Sequence, residues 1–198
     1  MKNPPLDRLA LLVEYLRPVV SEFVFTIDNR TKDADVAPLF TWPGVRYNTI
    51  NWRDDFAWAR NQGLPLVTGD WTLMVDPDEL PSLAMMSHIK WVDTHPDDYS
   101  DAFGWVYWFK NFWDGTLGEE KDYHWHTRLF RSGTARFYRP VHELVMFNID
   151  GQDLEENPLR GTPVLPYAPK EAYCIHSKSR ESIKEADELY ARLGEVSK

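Results

Sequence analysis

The sequence carries a short acidic run, Asp76-Pro77-Asp78-Glu79, directly after the apolar stretch Trp71 to Val75. Two carboxylates one residue apart at a strand end can both face a hard divalent cation, which takes oxygen ligands. Asp76 and Asp78 are that pair. An acid-rich turn by itself is usually a solvated loop; its place behind a core strand is what marks this one. A second β-branched and aromatic run, Glu22 to Ile27, also stops at an acid, Asp28. Glu143, beside His142, is a carboxylate that could take a proton, with Asp33 and Glu79 as alternatives. His176 could add a nitrogen ligand late in the chain. Asp122, His124 and His126 alternate with period two and could face one side of a strand, although an exposed hairpin accounts for them as well.

The elements that must position these residues follow from pattern and punctuation. Leu6 to Leu16 reads as an amphipathic helix, with Pro4 and Pro5 ahead, Asp7 in its first turn and Pro18 beyond it. Val45 to Ile50 is a candidate strand, and Asp54 to Gln62 a helix with Asp54 as its N-cap. Trp71 to Val75 lacks alternation, as strands buried on both faces do. Acids at the ends of such strands fit α/β sheets, whose ligands sit beyond the carboxyl ends of the strands. From Phe103 onward the pattern becomes strand after strand: Phe103 to Phe109, Thr127 to Phe130, Arg136 to Tyr138 and Val141 to Phe147. Trp105, Tyr107 and Phe109 share one strand face, with Val106 and Trp108 on the other. Arg180 to Leu193 reads as a closing helix ending before Gly194. The architecture expected is α/β first and mixed or antiparallel later, in one domain over 1–198.

Bulk properties narrow the partners. The 198 residues suffice for one domain with a real core. A net charge of −9 argues against a nonspecific nucleic-acid or anionic-membrane surface. An acidic protein can still bind an anionic nucleotide when a divalent cation neutralises the diphosphate. The single Cys174 excludes an internal disulfide and suits a reducing compartment, so a cytoplasmic location is expected. No apolar run is long enough to cross a bilayer and no signal peptide is visible, so no integral membrane segment is expected. Trp113 and Trp125 are among the aromatics that could stack on a sugar.

The segment Asn51 to Leu80, NWRDDFAWARNQGLPLVTGDWTLMVDPDEL, resembles the family-two inverting glycosyltransferases of the cell-wall type. There W-x-D-D-F-A-x-A-R-N leads through G-D-W into a strand ending D-x-D-E, matched here by Trp52 to Asn61, Gly69 to Trp71, Asp76, Asp78 and Glu79. TIDNRTKD is similar to the family's upstream strand-to-loop segment, with Asp28 and Asp33 at its acids. TRLFRSGTARFYRPVHELV resembles its R-L-F…H-E segment through Arg128, Leu129, Phe130, His142 and Glu143, and CIHSKSR its late histidine strand.

The resemblance implies an A-type, Rossmann-like nucleotide-sugar-binding fold, with the donor part at about 1–83 and the acceptor side at about 84–198. It also implies that the family's first strand, ahead of a K-N-E-like loop, is lacking, because Met1-Lys2-Asn3 already falls in that loop. Asp28, Asp33, Asp55, Arg60 and Asp76 would bind the nucleotide sugar, with Arg60 toward the diphosphate. Asp76, Asp78 and His176 would hold Mn²⁺ or Mg²⁺, and Glu143 would be the catalytic base. The implied reaction transfers a sugar from a UDP- or GDP-sugar to an acceptor hydroxyl. The rival expectation is a degenerate member of the fold that binds nucleotide or glycan without turnover.

Overall fold

The computed structural model describes residues 6–31, 37–114, 116–118 and 123–179, together with 184 and 188. Asp33, Asp122 and most of the expected helix Arg180 to Leu193 lie outside the described residues.

Helix α1 spans Leu6–Leu16 and buries Val13 and Leu16. Strand β1, Phe23–Asp28, pairs in parallel with β2, Val45–Ile50, from Phe23 opposite Val45 to Asp28 opposite Ile50. Helix α2, Phe56–Gly63, follows. It crosses β1 closely: a Cβ at Gly63 would stand 2.8 Å from Thr26 Oγ1, so only glycine fits there. Strand β3, Trp71–Leu73, and β4, Glu79–Pro81, flank the acidic run. Helix α3, Leu83–Thr94, starts at the Ser82 cap, whose hydroxyl accepts from Met85 N.

The rest is mostly strand: β5 Gly104–Trp113, β6 Thr116–Leu117, β7 His124–Arg131, β8 Ala135–Tyr138, β9 Leu144–Ile149 and β10 Gln152–Glu155. A single helical turn α4, Glu156–Leu159, and strand β11, Tyr173–Lys178, complete the described elements. The main sheet runs β3-β7-β5-β11-β4, with β6 paired to β5; β8, β9 and β10 form a separate meander, and β1 and β2 a separate pair. Within the main sheet β5 and β11 are parallel and the other pairings antiparallel. This is a mixed α/β architecture.

The two faces of β5 build two cores, as the alternation predicts. Trp105, Tyr107 and Phe109 pack with Met85, Ile89 and Val92 of α3. Val106 packs with Phe130, Phe137 and Phe147 against the meander. Among the described residues no helix is long and apolar enough to cross a membrane.

Three expectations are corrected. Only Trp71–Leu73 of the Trp71 to Val75 run is strand, and of the five residues Thr72 alone is buried, because the whole run borders a cavity. The cap of α2 is Asp55, whose Oδ1 accepts from Trp58 N at 2.7 Å, while Asp54 adopts a φ of 58° and accepts from Trp52 Nε1. His124 and His126 lie in β7, half-buried against Phe109, instead of on an exposed hairpin.

The α3 core holds a titratable histidine. His88 Nδ1 lies 2.9 Å from the Tyr107 hydroxyl, with Trp91 and Trp105 around the ring. Burial pushes its imidazole from 6.5 down to about 4. The folded value is below the unfolded one, so this contribution to stability is complete above pH 6.5 and is lost as pH falls toward 4. His88→Gln should therefore lose less stability than the parent between those pH values, in urea titrations at several pH. Parallel curves for the two proteins would exclude His88 as the source.

Candidate active site

The site forms where β3 and β11 end, and its side chains are aimed by local backbone geometry. Beyond β3 the chain still bonds to β7 through Met74 N to Arg128 O, 2.8 Å, and then turns. That turn closes on itself: Glu79 N donates to Asp76 O, and Asp76 N donates to Glu79 Oε2, each at 3.0 Å. Asp78 is anchored to β11 by Ser177 N, 2.9 Å from its carbonyl oxygen. Across the site, Arg139 and His142 adopt φ values of 73° and 51°. Such left-handed conformations are unfavourable for side-chain-bearing residues and here bend the segment around Pro140, whose carbonyl receives Phe56 N of α2. Glu143 is thereby carried toward α2.

Arg60 on α2 joins the two sides. Its Nη2 lies 2.9 Å from Asp76 Oδ2 and its Nε 3.0 Å from Glu143 Oε1. Arg128 of β7 reaches the same Asp76 oxygen at 3.5 Å and bonds to Glu79. Burial would raise the Asp76 carboxyl, but the charges of Arg60 and Arg128 outweigh it and hold the group well below the usual carboxylate range. Burial, helped by Asp76 and opposed by Arg128, pushes Glu79 up. Asp76 is thus ionised at neutral pH. Arg60 Nη1 and Arg128 Nε are buried with no acceptor among the described residues. Two such donors are suited to oxygens of an anionic ligand.

Asp78 and His176 form an adjacent pair, Oδ2 to Nε2 at 3.3 Å. Neighbouring ligands of an octahedral divalent ion, each about 2.1 Å from it, stand about 3 Å apart. The pair therefore fits two corners of a cation site. The Asp76 oxygen, by contrast, is taken by two guanidinium groups. Among the described residues no three His, Cys, Asp or Glu side chains converge as a metal set.

Of the expected site residues, the structure brings together Arg60, Asp76 and Glu143, with Asp78 and His176 beside them. Asp28 ends β1 with its carboxylate held by Arg30, whose Nε is 2.8 Å away; that hydrogen bond, more than anything else, lowers its pKa. Asp55 is occupied in capping α2. Arg128 is a central member to which sequence reasoning gave no role. The signal was available: a basic residue inside an apolar strand needs a carboxylate partner.

The aromatics expected to stack on sugars are engaged with one another or with cations. Trp125 lies 3.7 Å from Trp108 between ring centroids and 4.5 Å from Tyr167. Lys178 sits over Trp113. His126, pushed well below its usual pKa by burial and then by Arg128, is neutral.

A TPR repeat-containing protein of Synechococcus elongatus is 31% identical over 142 residues, covering 70% of this chain and 33% of its own length. The chain thus spans about a third of that curated relative. The crystal structure of HddC from Yersinia pseudotuberculosis aligns over 92% of this chain and 84% of its own, with 14% identity and a TM-score of 0.43. The family model of glycosyl transferase family 2 matches residues 21–152, which include β1, the acidic run, Arg60, Arg128 and Glu143, and the chain belongs to that family.

Proposed function

We propose that the protein transfers a sugar from a UDP- or GDP-sugar to an acceptor hydroxyl by metal-assisted displacement with inversion. Family membership supports sugar transfer as the class of reaction. The observation that carries the finer reading is Arg60, bonded at once to Asp76 on one side and Glu143 on the other. It sets a carboxylate able to take a proton opposite a cluster able to receive a diphosphate.

In this reading the donor lies over the part up to about residue 83, with Asp28 toward the nucleoside and Asp33 and Asp55 near it. Acceptor contacts come from the remainder. Arg60 and Arg128 direct their buried free donors at the diphosphate, where negative charge grows as the sugar leaves. Asp78 and His176, with Asp76 near, would hold Mn²⁺ or Mg²⁺, which would supply further charge stabilisation there. Glu143 removes the proton of the acceptor hydroxyl as it attacks the anomeric carbon.

The test is release of nucleoside diphosphate from a panel of UDP- and GDP-sugars, with and without Mn²⁺, in the presence of glycan acceptors. Metal-dependent release with transfer is expected. Binding without release would replace this reading by that of a non-catalytic nucleotide-binding member of the fold.

A narrower expectation concerns Asp78. Asp78→Asn should weaken metal-dependent donor binding by at least about tenfold, since an amide oxygen is a poorer ligand for a hard cation. Its carbonyl contact to Ser177 would remain, so the fold should be unaffected. Titration calorimetry of donor with Mn²⁺ reads this out, and an unchanged affinity would remove Asp78 from the site.

A further inference from the structure

Among the described residues, four polar side chains surround one buried phenyl ring, and the proposed transfer uses only two of them. Phe109 of β5 is fully buried, with the Arg128 guanidinium carbon 5.0 Å from its ring. The rings of His126, His124 and His176 stand around it at 5.1, 5.5 and 6.4 Å between centroids. Arg128 belongs to the arginine cluster and His176 to the pair with Asp78. The two histidines of β7 have no part in either.

Strand geometry explains the grouping. His124 is paired with Phe109 and His126 with Tyr107, on the face of β5 that packs on α3. Trp125 between them turns to the other face and meets Trp108. On the other side of β5, His176 is opposite Asn111, and its ring is 6.3 Å from that of His124. The His124 and His126 rings are 4.7 Å apart and nearly perpendicular. The four groups form an arc from Arg128 through His126 and His124 to His176.

That arc joins the two halves of the site. Arg128 reaches Asp76 at one end, and His176 meets Asp78 at the other. A nucleotide sugar engaging both ends would lie across the histidines between them. Hydrogen-bonding rings on the apolar face of a core strand cost free energy unless polar partners meet them. His124 has the Asn111 amide, Nδ2 to Nδ1 at 3.5 Å. The described contacts of the His126 ring are aromatic, to Phe109 and His124. Burial, and then the charge of Arg128, keep His126 neutral, so it offers one N–H and one lone pair. A sugar hydroxyl both donates and accepts in the same way. A phosphate oxygen only accepts, and the arginines serve it better.

Resting on the transfer reading above, we propose that His124 and His126 are specificity-determining residues that hold ring hydroxyls of the sugar being transferred. The arginines and the Asp78–His176 pair then fix the diphosphate, and the β7 histidines select the pyranose attached to it.

The test couples each histidine to each hydroxyl. Calorimetry with Mn²⁺ identifies the UDP- or GDP-hexose that the unmodified protein binds best, and then measures its monodeoxy analogues. At least one deoxy donor should bind about tenfold more weakly, the effect of one lost hydrogen bond. In His126→Phe or His124→Phe the same deletion should cost less than about twofold, because that hydroxyl has already lost its partner. UDP and GDP alone should bind both variants within about twofold of the parent, as expected for an independent subsite. Deoxy donors that all bind the unmodified protein as tightly as the full hexose would overturn the proposal without any variant. A deoxy penalty undiminished in both variants would do the same. Equal loss of UDP or GDP and of their sugars would assign the histidines to the diphosphate or the metal instead. An unmodified protein that binds no nucleotide at all would overturn the transfer reading, and this proposal with it.

Discussion

Arg128→Leu should cost the fold about 3–5 kcal/mol, the usual consequence of removing one partner of a buried ion pair. Arg128 is 7% exposed and its partner Glu79 3%. Leucine fills most of the volume, so the loss comes from leaving the Glu79 carboxylate buried without its cation. Urea unfolding at pH 7 measures this, and the melting temperature should fall by on the order of 10 °C. Acid supplies a second arm. Burial already raises Glu79 above its ordinary pKa, and removing Arg128 raises it further. A raised folded value means stability that is present below the unfolded pKa and lost as pH rises through the folded one. The deficit of the variant should therefore shrink between pH 7 and pH 4.5. Adding Glu79→Met should recover part of the loss, since no lone charge then remains. A variant as stable as the parent at pH 7 would show that the pair contributes nothing net.

The same cluster shows what pattern in a sequence conveys and what it leaves out. Periodicity and punctuation report which residues share a face, so α1 and the two faces of β5 are found as the spacing predicts. The spacing of Asp76 and Asp78, taken with the Arg-Asn and His-Glu segments, likewise located the region of the candidate site. What periodicity does not report is who pairs with whom. Asp54 and Asp55 are equivalent in a propensity argument; backbone torsion decides that Asp55 caps α2 and Asp54 bonds Trp52. Trp71 to Val75 has the composition of a strand covered on both faces, yet four of its five residues are only half-buried, because composition does not count neighbours. The sequence resemblance directs Arg60 toward a diphosphate; its ion pairs to Asp76 and Glu143 depend on α2 lying across β8 and β1, which no local pattern encodes.

Glu143→Gln should lower turnover by about 10²-fold or more while donor affinity stays within about twofold, provided Glu143 is the base of the proposed transfer. Gln keeps the side-chain length and a carbonyl oxygen that can still accept from Arg60 Nε, the contact at 3.0 Å in the parent. The bend through His142 is unaffected by the change, and Asp76 retains both its arginine contacts. What is lost is the ability to accept a proton at neutral pH. A structural role would give a different result: loosening Arg60 would also disturb Asp76, and donor affinity would fall along with turnover. Steady-state kinetics with calorimetric donor binding separates the two cases, because a loss confined to kcat marks an interaction needed only in the transition state. Turnover close to that of the parent would remove Glu143 from the chemistry. Glu79 is bonded to Arg128 and buried away from any incoming hydroxyl, so Asp33 would then be the carboxylate to test next.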